Sequence, residues 1–310
     1  AAERNNLCTL GQLHRAVGGL CVNQRGYAAR EYQSAAAALE AGVPTSASFY
    51  CPGYVQVGSV TFHCHNRLGH GTLDMHGGFT QSCNPYFIQL MQQAGGRALY
   101  HMAVALGFDR SLILAEGYKT ARAILPSETE LLSPAAVANL SFGQGSLLGT
   151  PVHVAQMVAA VVNDGQVIRP TILKGYMDTE GRFTEESVSP PQYAFSAQTA
   201  QVLRELMIET VEEGTGQSAR PTESAGMAGG KTGTAETGWE TEDKPVVQSW
   251  FGGFYPAENP RYVIAVVAED SNNTQGKSAP VFKKICDELF MLEKSRKSWL
   301  QTDDGGQAGD

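Results

Sequence analysis

Helical patterns of apolar residues divide most of the chain into regular elements. The alanine-rich run SAAAALEAG predicts a helix that stops at Gly42, because alanine favours helices and glycine favours their ends. Pro85 stands in the first turn of a second helical run, SCNPYFIQLMQQAGG, and RALYHMAVALGF predicts a third. Thr150 and Pro151 supply an N-cap and a first helical residue for TPVHVAQMVAAVV, and Ser196 precedes a long amphipathic run. Helices therefore precede the main strands.

Strand patterns are concentrated in two parts of the chain. The run SASFYCPGYVQVGSVTFHCH is typical of short strands around glycine and proline. Near the C-terminus, SWFGGFYP and RYVIAVVAED are typical of longer strands joined by the turn AENP, and APVFKKICDELFMLEK predicts a closing helix. This order indicates an α+β fold, with an antiparallel sheet between a helical lobe and the last helix.

The pattern also predicts how the chain is organised. Its 310 residues allow one large domain or two small ones. Residues 1–33 match the regular patterns poorly, residues 34–294 form the predicted domain, and residues 295–310 are expected to be a disordered tail because they are polar and rich in glycine.

Charge and hydrophobicity argue against nucleic-acid binding and against a membrane span. The net charge of −8 argues against nucleic-acid binding, which requires a basic surface. No run of about 18 apolar residues predicts a membrane span, and no signal-peptide pattern opens the chain.

The stretch GGKTGTAETGWE at Gly229–Glu240 is too polar for an ordinary core strand. Lys231, Thr232 and Thr234 place polar groups along one strand edge, and Gly233 leaves room for a ligand backbone between them. Such an edge suits a ligand that presents both a carboxylate and a peptide. The alternative interpretation is a turn that leads into an edge strand.

Four motifs occur in a fixed order along the chain. They are SCN at Ser82–Asn84, FGQG…TP at Phe142–Pro151, KTGTAE at Lys231–Glu236 and WFGGFYPAENPRYVIAVV at Trp250–Val267. This order resembles the transpeptidase domain of penicillin-binding proteins, of the class B, high-molecular-weight type, within the penicilloyl serine transferase superfamily. The resemblance extends roughly from Ser34 to Phe290.

The resemblance implies roles for the matching residues. Lys231 and the hydroxyls of Thr232 and Thr234 would hold the terminal carboxylate of a substrate, and the Thr234 backbone N–H would be one oxyanion donor. Ser82 would relay a proton, and Asn84 would bind an amide of the peptide, so that Ser82, Asn84 and Lys231 form the catalytic set. Taken alone, Ser82 and Asn84 could equally be helix caps.

The nucleophile motif of the family, S-x-x-K, is missing at its expected place. Counting back from Glu40 puts Glu31 in the lysine place and Ala28 in the serine place. A slip of one residue gives Tyr27 and Arg30 instead, and neither register offers a serine. Acyl transfer needs a nucleophile that a nearby base can deprotonate, so we expect little or no acyl transfer.

Two explanations for the missing motif remain open. One is a pseudoenzyme that keeps the binding cleft, and the other is an origin of residues 1–33 from a shifted frame or a damaged gene. Ser34 lies beyond the expected place, and we interpret it as an ordinary helix residue.

Cys51, Cys64, His70 and Cys83 lie close together in the sequence before the second long helix. Three thiolates and one imidazole are a common ligand set for structural zinc, and the resemblance supports zinc because some elongation-type penicillin-binding proteins carry such a site at corresponding places. A Cys51–Cys64 disulfide and a set of unrelated buried thiols are the alternatives. No organic cofactor is expected.

The resemblance implies a domain that cross-links peptidoglycan stem peptides ending in D-Ala-D-Ala and that binds β-lactams. It also implies the extracytoplasmic face of a bacterial membrane, with an anchor outside this chain, and partners among wall-synthesis proteins of division, elongation or sporulation. Two alternatives remain: a non-catalytic peptidoglycan-binding or scaffolding module, and a β-lactamase or D,D-carboxypeptidase of the same fold.

Overall fold

The structure, a computed structural model, describes residues 31–186, 190, 192–241, 244–270 and 278–303. Within them the α-helices are α1 (Glu31–Glu40), α2 (Met75–Thr80), α3 (Asn84–Ala94), α4 (Gly96–Ala105), α5 (Pro134–Ser141), α6 (Pro151–Val162), α7 (Ala197–Glu212) and α8 (Ser278–Asp303). The strands are β1 (Phe49–Cys51), β2 (Tyr54–Val57), β3 (Val60–His63), β4 (Gly71–Leu73), β5 (Ile113–Ala115), β6 (Tyr118–Lys119), β7 (Gln166–Val167), β8 (Gly175–Met177), β9 (Phe183–Glu185), β10 (Gln192–Tyr193), β11 (Gly229–Thr241), β12 (Lys244–Tyr255) and β13 (Tyr262–Asp270). Among the described helices, none is both long and apolar enough to cross a membrane.

The main sheet is antiparallel and has the order β11–β12–β13. Side chains of β12 alternate between its faces, as the period of a strand requires. Trp250 and Phe254 join the core of the helical lobe, whereas Phe251 and Tyr255 pack in a second cluster with Phe282 of α8. The sheet therefore lies between a helical lobe and the last helix, which confirms the predicted α+β class.

Two consecutive glycines let β12 approach helices on both faces. A Cβ at Gly252 would lie 2.8 Å from Cγ1 of Val154 in α6, and a Cβ at Gly253 would lie 2.8 Å from the ring of Phe282 in α8. Side chains at these positions would push the helices away from the strand. The FGG part of the SWFGGFYP motif is thus a packing requirement of the sheet.

Helix α1 lies inside the helical lobe. Its four alanines, Ala35–Ala38, are at most 1% exposed, and α1 packs against α3, α4 and α7. The Tyr32 hydroxyl donates a hydrogen bond of 2.6 Å to the carbonyl of Gly252, which joins α1 to β12. The start of α1, with Glu31 as its first residue, therefore faces the sheet.

The segment between α1 and α3 consists of short strand pairs. Strand β1 pairs with β4, and β2 pairs with β3 in a hairpin. Asp74 caps α2 by accepting a 3.0 Å hydrogen bond from the backbone N–H of Gly77. Cys83 is the N-cap residue of α3, with Pro85 in the first turn. The SCN turn thus consists of Ser82 and Cys83, between α2 and α3, and of Asn84 at the start of α3.

Most of the predicted elements are present where the sequence places them. Helices α3, α4, α6 and α7 follow the predicted runs, and the predicted caps Thr150 and Ser196 occupy the N-cap positions of α6 and α7. Helix α8 extends to Asp303, into the segment 295–310 for which we expected disorder, because good helix formers such as Lys, Arg and Leu continue past residue 294. The poorly matching residues 1–30 lie outside the described residues.

Gln33, in the first turn of α1, has a buried polar side chain without a hydrogen-bond partner among the described residues. Its side chain is 1% exposed, and neither its Oε1 nor its Nε2 atom has a hydrogen-bond partner in the described structure. An unpaired buried polar group costs about 1–3 kcal/mol. We therefore predict that Gln33→Met, which keeps the side-chain length, raises the free energy of unfolding by about 1–3 kcal/mol in urea titrations.

The matched control is Gln92→Met at an exposed position of α3, which should change stability by less than about 0.5 kcal/mol. A loss of stability in Gln33→Met would show that Gln33 has a polar partner and would contradict this interpretation.

Candidate active site

The Lys-Thr-Gly-Thr motif lies on β11, the outer strand of the described sheet. Lys231 is opposite Gly252 in the register, and Thr234 is opposite Ser249. Lys231 is buried, Thr232 and Gly233 are half-buried and Thr234 is exposed. The motif therefore runs from the interior to the surface along one strand, so that an extended ligand could follow its exposed end.

The Lys231 ammonium is enclosed by protein groups. Its side chain has no exposed surface, and its Nζ atom lies 3.1 Å from Oε1 of Glu31, whose side chain is 9% exposed. Nζ also donates a hydrogen bond to the Ser82 hydroxyl, and it lies 3.5 Å from the carbonyl of Thr232. The ring of Phe79 lies beneath it, 5.7 Å from Nζ to the ring centroid. Lys231 thus connects α1, the SCN turn and β11.

A chain of hydroxyl groups extends from Ser82 to the strand. Ser82 Oγ lies 3.1 Å from Oγ1 of Thr215, which lies 3.3 Å from Oγ1 of Thr232. Ser82 has a φ of +49°, a backbone conformation that is uncommon for residues other than glycine. With this backbone geometry the Ser82 side chain contacts both Lys231 and Thr215, and its role as a proton relay stays a prediction.

Asn84 follows the same turn but points toward a different element. Its Nδ2 atom donates a 3.0 Å hydrogen bond to the carbonyl of His63, at the end of β3. Asn84 is half-buried, and it is the first residue of α3. The hydrogen bond fixes which end of the amide faces the β2–β3 hairpin. The contact of Asn84 with a ligand stays a prediction.

Ala28 and Glu31 are the residues expected in the serine and lysine places of the nucleophile motif. Ala28 lies outside the described residues. Glu31 is described and contacts Lys231, as given above. Ser34 is fully buried and donates a 2.7 Å hydrogen bond to the carbonyl of Ser141, so it is an ordinary structural residue of α1.

Cys51, Cys64, His70 and Cys83 come together in one cluster. One ligand atom from each residue lies within 4.8 Å of those of the other three. His70 Nδ1 is 3.7 Å from the sulfur of Cys51 and 3.5 Å from the sulfur of Cys64. All three cysteines are buried and carry free thiols. The cluster could hold a metal ion, and the Cys51–Cys64 disulfide considered as an alternative is not formed.

The cluster favours the deprotonation of one thiol. A hydrogen bond from Cys83 lowers the pKa of the Cys64 thiol to about 3, and the same contact raises the pKa of Cys83. The hydrogen bond with Cys64 also raises the pKa of His65, whose ring lies 5.2 Å from that of His70. The thiolate is the form in which cysteine binds metals.

Thr215 is a cleft residue that the sequence motifs did not indicate. It lies in the loop that joins α7 to β11, between two glycines in the stretch EGTGQ. A polar residue between two glycines, shortly before the Lys-Thr-Gly-Thr strand, was the available signal. Its link to Ser82 depends on tertiary structure and could not be inferred from spacing.

Comparison of the sequence with family models and with known proteins identifies the family of this chain. Residues 33–287 match the family model described as penicillin binding protein transpeptidase domain. The chain is 30% identical over 231 residues to stage V sporulation protein D of Bacillus subtilis, which covers 73% of this chain and 35% of that protein. It is 32% identical over 259 residues to penicillin-binding protein PbpB of Mycobacterium tuberculosis, which covers 78% of this chain and 37% of that protein. The chain thus spans little more than a third of these relatives.

Solved structures agree with this result. Penicillin binding protein 3 of Mycobacterium tuberculosis, in structures complexed with aztreonam and with ampicillin, is 29% and 30% identical to this chain, with a TM-score of 0.75 in each case. The matches cover 87% of this chain and 63% and 62% of those chains. The match to the family model over most of its length shows that the chain belongs to the penicillin-binding protein transpeptidase domain family.

Proposed function

We propose that this chain is a domain that binds peptidoglycan stem peptides ending in D-Ala-D-Ala, and β-lactams, without transferring an acyl group. The cleft in which they bind consists of Ser82, Asn84, Thr215 and the strand residues Lys231–Thr234. The observation that carries the proposal is the contact of Lys231 with Ser82 in the cleft and with Glu31 in the place of the motif lysine.

The arrangement of the cleft supports peptide binding. An extended peptide can add its backbone to the outer edge of β11, where Gly233 leaves space and Thr234 is exposed. The hydroxyls of Thr232 and Thr234 can both donate and accept hydrogen bonds to a terminal carboxyl group. The Thr234 N–H would then serve as an oxyanion donor in a catalytically complete relative.

The residues at the motif positions argue against acyl transfer by this chain. The serine place holds Ala28, which has no hydroxyl, and the lysine place holds Glu31, whose carboxylate is engaged by Lys231. Ser34, the nearest serine along the chain, is buried and hydrogen-bonded to Ser141. Covalent catalysis needs a nucleophile beside a base, and this set of residues supplies none.

The relatives support the substrate class and the place of action. Relatives are named peptidoglycan D,D-transpeptidases, and structures of one member contain aztreonam or ampicillin. By analogy, the parent protein would work on the outer face of a bacterial membrane together with wall-synthesis proteins of division, elongation or sporulation.

A purely scaffolding role is the second candidate, and the same Glu31–Lys231 contact favours it. No observation favours a β-lactamase or carboxypeptidase.

We also propose that the Cys/His cluster binds one structural zinc ion. Tetrahedral zinc with sulfur at ~2.3 Å and nitrogen at ~2.1 Å would space its ligand atoms by ~3.6–3.8 Å, and the cluster has S–N distances of 3.5 and 3.7 Å. Cys51 ends β1, Cys64 follows β3 and Cys83 lies between Ser82 and Asn84. The donor types and these two distances fit zinc, and the ion would tie the strand pairs to the SCN turn.

Penicillin labelling tests the absence of acyl transfer. Intact-mass spectrometry after incubation with benzylpenicillin should find no adduct on the unmodified chain, because Ala28 cannot form an ester. The variant with Ala28→Ser and Glu31→Lys should gain an adduct if the backbone around residue 28 supports the motif. Ser34→Ala is the control and should behave like the unmodified chain. An adduct on any residue of the unmodified chain would contradict the proposal.

Metal analysis tests the zinc site. The purified chain should contain about one zinc per molecule by elemental analysis, and Cys64→Ser should contain much less because a thiolate ligand is lost. Cys286→Ser is the matched control, since Cys286 is also a buried free cysteine but lies on α8, outside the cluster. Zinc removal should also lower the melting temperature of the unmodified chain. A metal-free chain with a Cys51–Cys64 disulfide would refute the site.

A further inference from the structure

The three N–H donors of the Lys231 ammonium already face protein acceptors. These are Oε1 of Glu31 at 3.1 Å, the hydroxyl of Ser82, and more distantly the carbonyl of Thr232 at 3.5 Å. Because the Lys231 side chain has no exposed surface, an external group can reach its Nζ atom only by displacing one of these partners. The positive charge of Lys231 is thus paired with the carboxylate of Glu31, a group of the protein itself.

We propose that Glu31 determines ligand specificity, because its carboxylate is the internal counterion of Lys231 and removes the preference of the cleft for ligands with a free terminal carboxylate. This inference rests on the proposed function, namely that the cleft binds stem peptides. The class of ligand it favours is a peptide whose C-terminus is bound through hydroxyl groups, whether that terminus is charged or amidated.

The electrostatics follow from the position of Glu31. An incoming carboxylate that approached Lys231 would meet the Glu31 carboxylate bound to the same Nζ atom, and like charges at such short range repel each other. The internal carboxylate also has an advantage over a dissolved one, because α1 holds it in place and no translational freedom is lost. The ligand carboxylate therefore gains little from Lys231.

The remaining side-chain contacts of the cleft come from uncharged hydroxyl groups. Thr232 is half-buried and Thr234 is exposed, so both can reach a ligand that lies along β11. A hydroxyl can donate to a carboxylate oxygen or to an amide oxygen, and it can accept from an amide N–H. A carboxylate and a carboxamide should consequently bind with similar affinity in the unmodified chain.

Calorimetric titration with two ligands measures this specificity. The ligands are diacetyl-L-Lys-D-Ala-D-Ala with a free C-terminal carboxylate and the same peptide as its C-terminal carboxamide. For the unmodified chain the two dissociation constants should agree within about threefold. In Glu31→Gln, which removes the counter-charge of Lys231, the carboxylate form should bind about tenfold or more tightly than the amide, the worth of a hydrogen bond to a charged group.

The control is Glu288→Gln, at an exposed position of α8, which should leave the ratio unchanged. If Glu31→Gln does not fold, Glu31→Asp withdraws the carboxylate by one methylene and should shift the ratio in the same direction to a smaller extent. A carboxylate preference of tenfold in the unmodified chain, or a ratio that Glu31→Gln or Glu31→Asp does not change, would overturn the proposal.

A double-mutant cycle separates the specificity role from the proposed function. The unfolding constants of Glu31→Gln, Lys231→Gln and the double variant should deviate from additivity by about tenfold or more, because the two groups are in contact. Additive effects would overturn the proposal directly. Strong coupling with no binding of either peptide to any variant would refute stem-peptide binding itself and leave Glu31 a structural residue only, which overturns its role in specificity.

Discussion

The arrangement of the cleft depends on the contacts that the buried ammonium of Lys231 makes with Glu31 and Ser82. This ammonium joins three parts of the chain that are far apart in sequence: the first residue of α1, the SCN turn and strand β11. A charge in the interior must be paired, and removing one partner of a buried ion pair costs about 3–5 kcal/mol. Glu31, Ser82 and the aromatic face of Phe79 together provide the environment in which this lysine can be buried.

A second set of contacts supports the same turn from the other side. Cys83 belongs to the Cys/His cluster and is the neighbour of both Ser82 and Asn84. Asn84 in turn is hydrogen-bonded to the carbonyl of His63, next to Cys64. A metal ion at the cluster would hold the short strand pairs before α3 against the SCN turn. The cleft and the cluster are therefore connected through the SCN turn, which contributes residues to both.

The sequence predicted what depends on local order and missed what depends on tertiary contacts. Helix α6, with its Thr150 cap, and the alternating strands β12 and β13 follow from propensities and periods that act over a few residues. The cysteine cluster was also predictable, since its ligand types are rare and closely spaced. The Glu31–Lys231 pair, the link from Ser82 to Thr215 and the unpaired Gln33 were not, because they join or isolate residues through the fold. Glu31 in particular could be identified as a departure from the family motif, but its partner could not.

The central claim is that this domain keeps a ligand cleft in which binding no longer leads to acylation. A crystal structure of the chain soaked with benzylpenicillin tests it most directly. The account predicts an intact β-lactam ring along β11, near Thr232 and Thr234, with no bond to any side chain and with Glu31 still on Lys231. Continuous density from a side-chain oxygen to an opened ring, or a ligand bound only elsewhere on the domain, would contradict it.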